Sequence, residues 1–402
     1  MFTHGRKGTT KRGISMAGSG ELFKGDDGTW SFRVLASTGD VVAVHDGAPF
    51  TSKTGARATL AKLLKGGYNG PITDAATLTC GQEITKDTTL QGDLVCNASP
   101  ALIIAADNVT LDLNGFTITG KGALSKGGPA ILFRNVKGAT VQKGTIQRFG
   151  AGVAIEGGSK NVVQNLTVVD NVGEVDGDYG DGITISGSNG NRVQGNTVAR
   201  NGPFSGISVI GASTGNEIRQ NVVTDNNMLP GTPADGRQDI GIRLEGPGAD
   251  KNKVIGNTVT GSGAEGIAVL PTCLDRANGC IGSKPNDGNE ISGNLSHKNG
   301  TSGQGSGIRL FCVANPVAAA NTIVKNNTTD GNTTHGIEVD AVGNAQPGPT
   351  NNKISGNSAH GNAQFDGFDG NLTPACNTNT WDANTFGRVN QPCVSGKPPA
   401  HT

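Results

Sequence analysis

The sequence predicts a mainly β chain, a single-stranded parallel β-helix (a solenoid) preceded by a small α+β module of three strands plus one helix. Three observations carry this. The first is a phrase of two Asn residues set around a β-branched residue. It recurs as Asn191-Arg-Val-Gln-Gly-Asn196, Asn216-Glu-Ile-Arg-Gln-Asn221, Asn252-Lys-Val-Ile-Gly-Asn257, Asn289-Glu-Ile-Ser-Gly-Asn294, Asn321-Thr-Ile-Val-Lys-Asn326 and Asn352-Lys-Ile-Ser-Gly-Asn357. The second is a Gly-Ile phrase between the copies, at Gly182, Gly206, Gly241, Gly266, Gly307 and Gly336. Copies 25 to 37 residues apart mark a repeat architecture. Apolar and polar residues alternate over short runs within each copy, which is a strand period. The third is composition: 64 glycines in 402 residues, with 4% aromatic and 16% charged residues, suits tight turns and a thin aliphatic core.

Each copy offers two or three strands of three to five residues, too few for a propeller blade and enough for one coil of a parallel β-helix. Equivalent strands then stack about 4.8 Å apart. An inward Asn at the same turn of every coil bonds its neighbours above and below and satisfies buried backbone. The formal charge is zero, which leaves nucleic acid no electrostatic footprint. No apolar run approaches the length of a membrane span.

Taken in order, residues 1–19 read as a disordered basic N-terminus without the apolar core of a signal peptide. Residues 20–67 read as the small α+β domain. Its strands lie at Glu21-Leu-Phe-Lys, Trp30-Ser-Phe-Arg-Val-Leu and Val41-Val-Ala-Val, with turns at Asp26-Asp-Gly and Thr38-Gly-Asp. Ser52 caps a helix that runs to Leu64 and stops at Gly66-Gly67. Trp30, Phe32, Arg33, Gly39-Asp40 and Ser52-Lys53 make this segment similar to the YegP-like small domain. That family often carries the unit in tandem, so a single copy implies pairing with a second chain, a possible homo-oligomer, or a capping role. A linker spans 68–78, the β-helix 79–394 and a tail 395–402.

Cys80 with Cys96 and Cys376 with Cys393 bracket the β-helix, where covalent links would keep terminal coils from fraying. Such usage points to an oxidising, extracellular or cell-surface location. With a removed or replaced leader, or a start at Met16, this agrees with the basic N-terminus. Seven cysteines leave one of Cys273, Cys280 and Cys312 unpaired within the chain, and a Cys273–Cys312 pair would leave Cys280.

From Thr79 on, the run Cys80 to Cys96, then Asp107-Asn-Val-Thr-Leu-Asp-Leu-Asn-Gly-Phe-Thr-Ile-Thr-Gly120, the Asn and Gly-Ile repeats, and Trp381-Asp-Ala-Asn-Thr-Phe-Gly387 resemble the right-handed parallel β-helix superfamily that includes pectate-lyase-like proteins. The resemblance implies the fold and its handedness. It leaves the activity open among lyases, hydrolases, epimerases and adhesins.

Chemistry is expected on the outer face of the Gly-Ile strands. In Gly-Ile-x-Val-y the Ile and Val point inward, so x, y and the residue before Gly face outward. These positions gather Asp181, Arg243, Glu245, Glu265, Arg309, His335, Glu338 and Asp340, followed by Asp366 and Asp369. Insertions flank the same strands at 174–180, 228–238, 271–285, 313–320 and 341–349, which suggests a groove for an extended polymer, an acidic polysaccharide. Eliminative cleavage or C5 epimerisation of a uronate would use Arg243 and Arg309 on the substrate carboxylate, His335 as base, and Glu265 or Glu338 as proton donor or orienting partner. Glu245 and Asp340 would bind substrate, and Tyr179 would stack on a sugar ring. A hydrolase would instead use two of Glu245, Glu265 and Glu338. Asp176, Asp178 and Asp181 in one Gly-rich loop are a candidate calcium site. A glycan-binding or structural surface rod without turnover is the competing class.

Overall fold

The computed structural model describes residues 19–25, 28–36, 41–45, 49–64, 72–74, 78–122, 127–174, 177–226, 238–271, 285–314, 317–340, 348–372 and 374–395. The chain divides into two units, Met1–Thr77 and Leu78–Thr402.

In the first unit, alternating apolar residues give the strands Ser19–Lys24 and Trp30–Leu35, whose inward Leu22, Phe32 and Val34 meet Ala56, Leu60 and Leu64 of the helix Lys53–Leu64. Ser52 caps that helix by accepting the Gly55 N–H at 3.2 Å. Gly20 is dictated by space, because a Cβ there would lie 2.7 Å from Leu60. The sheet has four strands, not the three expected. Ile72–Asp74, read from sequence as linker, pairs in parallel with Ser19–Lys24. Three residues with one apolar side chain carry too little period to be seen as a strand.

The second unit is a parallel β-helix. Eleven strands, from Gln82–Ile84 to Phe365–Asp369, pair in parallel, each with its equivalent in the next coil. Two further ladders complete each coil, for example through Arg192–Gln194 and Thr197–Ala199. Ile183, Ile207, Ile242, Ile267, Ile308 and Ile337 stack inside one ladder, and Val193, Ile218, Val254, Ile291, Val324 and Ile354 inside another, all fully buried. The core is one continuous aliphatic column.

The Asn residues form the expected buried ladder. Asn221 Nδ2 donates to Asn257 Oδ1, and Asn257 Nδ2 to Asn294 Oδ1, each at 3.0 Å. Two differences emerge. A third row stands five residues beyond the second, with Asn201 Nδ2 donating to Asn226 Oδ1 at 3.1 Å and Asn332 Nδ2 to Asn362 Oδ1 at 2.8 Å. In the copy at Asn321 the phrase is displaced by one residue. Ile323 pairs with Glu290 and Val324 with Ile291, so Thr322 and Asn327 hold the ladder positions. Asn321 and Asn326 take the left-handed turn conformation (φ +51° and +55°) that Gly288 and Gly293 take one coil earlier.

Disulfides join Cys80 to Cys96 and Cys376 to Cys393. Cys312 is buried, whereas Cys273 and Cys280 lie outside the described residues, as do residues 175–176, 228–237, 272–284, 315–316 and 341–347 of the expected insertions. Among the described residues no helix is long and apolar enough to cross a membrane.

Candidate functional site

The Gly of each Gly-Ile strand is set by packing and not by its own φ. A Cβ on Gly206 would lie 2.8 Å from Asn226 Nδ2, and one on Gly307 2.8 Å from Asn332 Nδ2. The third Asn row thus presses against the inner side of the strand, and the x and y side chains project from the opposite side. In register, the x row runs Thr184, Ser208, Arg243, Ala268, Arg309, Glu338 and Phe368.

Around Arg309 three carboxylates converge. Its Nη1 donates to Glu265 Oε1 and its Nη2 to Asp340 Oδ2, both at 2.8 Å. Its Nε lies 3.2 Å from Glu338 Oε1 without hydrogen-bond alignment, and the guanidinium plane covers the Phe311 ring at 4.0 Å. Ser306 Oγ donates to Glu338 Oε2 at 2.5 Å. Glu265, Glu338, Arg309, Ser306, His335 and Gln304 line a 200 Å³ pocket. Burial, outweighing the attraction of Arg309 and the Ser306 bond and reinforced by Asp340 and Glu265, pushes the Glu338 carboxyl up to about 7. Burial also works against charge on Arg309, but Glu338, Glu265 and Asp340 together overcome it and push its pKa up. His335 stacks on Phe368 with centroids 4.3 Å apart, and its Nδ1 finds no hydrogen-bond partner. Burial, with Arg309 nearby, brings the imidazole down to about 4, so it is neutral at neutral pH.

A second cluster surrounds Arg243, two ladder steps away. Its Nη1 donates to Glu245 Oε2, and its Nη2 reaches Asp181 Oδ1 at 3.4 Å. Asp181 also accepts from Thr184 at 3.1 Å, and burial raises its pKa despite Arg243 and the Ser208 and Thr184 hydroxyls. Asp178, Asp181, Phe204, Gln238, Arg243 and Glu245 are among the residues lining a 390 Å³ pocket.

The structure therefore brings Glu265, Arg309, His335, Glu338 and Asp340 together at one place and Asp181, Arg243 and Glu245 at another. Both guanidinium groups expected to await a substrate carboxylate are already engaged by carboxylates of the chain. Tyr179 donates its hydroxyl to Glu156 at 2.7 Å, and burial and Glu156 raise the phenol to about 12. Asp178 is exposed, Asp176 lies outside the described residues, and among the described residues no three His, Cys, Asp or Glu side chains are grouped to hold a metal.

Asp366 and Asp369 do not line the groove. In the last coil Asp369 pairs with Val339 and so points inward, while Asp366 stands opposite Gly336, at the corner where a Cβ faces the Asn row. Asp366 accepts from Asn362 Nδ2 at 2.8 Å and the Arg388 N–H at 2.9 Å, and Asp369 from Trp381 Nε1 at 2.9 Å, closing the end of the coil stack. The register also places Ser306, the residue before Gly307, on this face, without giving it a role. Sequence reasoning missed Phe311, Phe204 and Gln238 as site residues, although Phe311 occupies the y position of Gly307-Ile-Arg-Leu and the same register could have found it.

Residues 96–273 match the family model described as a right handed beta helix region. No curated protein matches the chain. Among solved structures, the mannuronan C-5 epimerase AlgE4 A-module of Azotobacter vinelandii is similar at 12% identity over 80% of each chain, with a TM-score of 0.50. The Dettilon tailspike protein gp208 is 15% identical over 85% of this chain and 56% of its own, at a TM-score of 0.49. The chain thus spans little more than half of that tailspike. The periplasmic alginate epimerase AlgG is 14% identical over 74% of this chain and 73% of its own, at a TM-score of 0.42. The ladder topology and the family match together identify the second unit as a right-handed parallel β-helix.

Proposed function

We propose that the outer face of the Gly-Ile sheet hydrolyses glycosidic bonds in a neutral polysaccharide. The observation that carries this is the Arg309 pocket, where three carboxylates meet and one of them, Glu338, holds its proton up to about pH 7. Glycoside hydrolysis requires one carboxyl protonated and another ionised across the scissile bond. A guanidinium donates most strongly to ionised carboxylates, and Arg309 donates to Glu265 and Asp340 while only touching Glu338. Glu338 then protonates the glycosidic oxygen as the bond to the anomeric carbon breaks. Glu265 or Asp340 either takes the proton of the attacking water or attacks that carbon itself. Polysaccharide as the substrate class is in keeping with neighbours whose names describe epimerases of mannuronan and alginate.

A uronate lyase or epimerase is the second reading, and the neutral His335 imidazole with its unpartnered Nδ1 favours it as a proton-abstracting base. Electrostatics weigh against it. Arg309 faces three carboxylates, and Arg243 faces Asp181 and Glu245, so both guanidinium groups that would hold an anionic sugar are already spent on carboxylates of the chain. Incubation with neutral and uronate polysaccharides decides between them. New reducing ends without a C4–C5 double bond support hydrolysis, and the double bond supports a lyase. Inversion at C5 without cleavage supports an epimerase, and binding without products supports a glycan-binding rod. Repeating the assay with a chelator tests calcium at Asp176, Asp178 and Asp181, where activity lost and restored by calcium would support it. The two disulfides fit an extracellular or surface location.

A further inference from the structure

We infer that the 390 Å³ pocket around Arg243 is a second sugar subsite, holding one neutral pyranose unit of the same polymer that occupies the Arg309 pocket. The inference rests on the polysaccharide reading above and adds where the chain is gripped.

Position comes first. Arg243 pairs with Ala268 and Ala268 with Arg309 on successive coils, so the two pockets stand two ladder steps, about 10 Å, apart on one face. The y row that joins them, Ile210, Glu245, Leu270, Phe311 and Asp340, is half-buried throughout, as expected of a continuous trough.

Size and chemistry come next. A volume of 390 Å³ lies at the lower end of the range of about 300–1,000 Å³ for small-molecule sites, enough for a single ring. Arg243 and Gln238 supply donors, Asp181 and Glu245 supply acceptors, and Phe204, Ile210 and Pro247 form an apolar wall. A pyranose presents that pairing, with hydroxyls that donate and accept around its rim and an apolar C–H face. Among the described residues, three acidic side chains, Asp178, Asp181 and Glu245, line the pocket with one Arg, which disfavours an anionic sugar.

The third argument is unfinished hydrogen bonding. Arg243 is 5% exposed, yet its Nε has no partner, and neither has the buried Oε1 of Gln238. The Arg243 contact to Asp181 is stretched to 3.4 Å. A guanidinium with five N–H donors, taken out of water and only partly matched, is under-satisfied until a ligand completes it.

The test uses the full chain carrying Glu338→Gln, so that bound ligand is not cleaved, titrated calorimetrically with cellohexaose, xylohexaose, mannohexaose and maltohexaose and with the matching disaccharides. At least one hexasaccharide should bind more tightly than its disaccharide. Adding Phe204→Ala or Gln238→Ala should weaken that hexasaccharide about tenfold while leaving the disaccharide affinity and the melting transition unchanged. Equal losses for both lengths, no loss in either variant, or failure of all four hexasaccharides to bind would overturn the subsite. Turnover by the wild-type chain is read separately. Length-selective loss without cleavage removes the hydrolase reading and keeps the subsite, and cleavage with no effect of either variant does the reverse.

Discussion

At the scale of single residues, Glu338 and His335 titrate in opposite senses. Glu338 binds its proton more tightly folded, at about 7, than unfolded, at 4.5. Its contribution to stability is therefore whole below pH 4.5 and lost as pH rises through about 7. His335 is held neutral, at about 4 against 6.5, so its contribution is whole above pH 6.5 and lost as pH falls toward 4. Between 4.5 and 6.5 the two slopes oppose each other. Glu338→Gln keeps that side chain neutral, so its melting temperature relative to wild type should climb as pH rises from 4.5 through 7. Hydrolysis by that variant should fall by roughly 10²- to 10⁴-fold, the usual share of a general acid. A flat pH difference would mean that Glu338 is not held protonated. Arg309→Ala would leave Glu265, Glu338 and Asp340 facing one another without their cation, and should cost about 3–5 kcal/mol at neutral pH. The loss should shrink on acidification as the carboxylates take up protons, so thermal melts at acid and neutral pH check it.

At the scale of the element, the Asn ladder bears the backbone satisfaction of the coil. Asn257 accepts from the Asn221 N–H and side-chain amide and donates to the Ile218 carbonyl and to Asn294. Asn257→Ala therefore strands several buried groups at once, and at about 1–3 kcal/mol for each orphan the urea midpoint should drop sharply. Asn384, at the partly buried last rung, accepts from the Asn357 N–H and side-chain amide and donates to the Ile354 carbonyl, and because water can reach the groups it would strand, its removal should cost less. Equal losses at both positions would contradict a ladder that is satisfied from both sides. This level was legible in the sequence because the strand period and the five-residue Asn spacing are local. The displaced copy at Asn321 was misread because Asn serves both as ladder rung and as left-handed turn residue. Thr322 carries no marker of the rung it fills. The outward x and y positions followed from the same period, and so Arg243, Arg309 and Glu338 were found. The carboxylates that pair with them were placed on the same face, and ion pairing between neighbouring coils was open from the residue types alone, but which carboxylate meets which Arg was not, because Arg309 meets Glu265 across 44 residues and Asp340 across 31, separations set by the loops between coils. Asp369 turned inward because Gly367, not Phe368, takes the Ile position in the last coil, which puts Asp369 in the Val position, and Asp366 falls at the corner that Gly336 fills one coil earlier, facing the Asn row.

At the scale of the molecule, a stack of coils is stabilised between neighbours, so its ends have half the contacts of its middle. The C-terminal end meets this with polar closure and a covalent link. Asp366 and Asp369 bond the Arg388 N–H and the Trp381 indole, and Cys376 and Cys393 join 17 residues apart in sequence. Burial raises the Asp369 carboxyl, although Trp381, Asn371 and Asn379 all donate to it, so this closure is sensitive to losing any of its donors. Cys393→Ser should cost about 3 kcal/mol, the chain-entropy value for a loop of that length. The loss should fall unevenly. Amide exchange should quicken first in Phe365–Asp369 and Thr380–Asp382 while Ile267–Leu270, near the middle of the stack, keeps its protection. If exchange instead quickened uniformly from Gln82 to Ser395, the coils would unfold as a single cooperative block, and end closure would protect the groove and the terminus equally. If it is confined to the last coils, the Arg309 pocket is the vulnerable part of the groove. Glu338 lies on, and Asp340 directly follows, the strand before the closing one, whereas Arg243 lies three strands further in. Cys393→Ser should then impair hydrolysis before it impairs binding at the Arg243 pocket, and parallel assays of the two along a mild heat series would show the order.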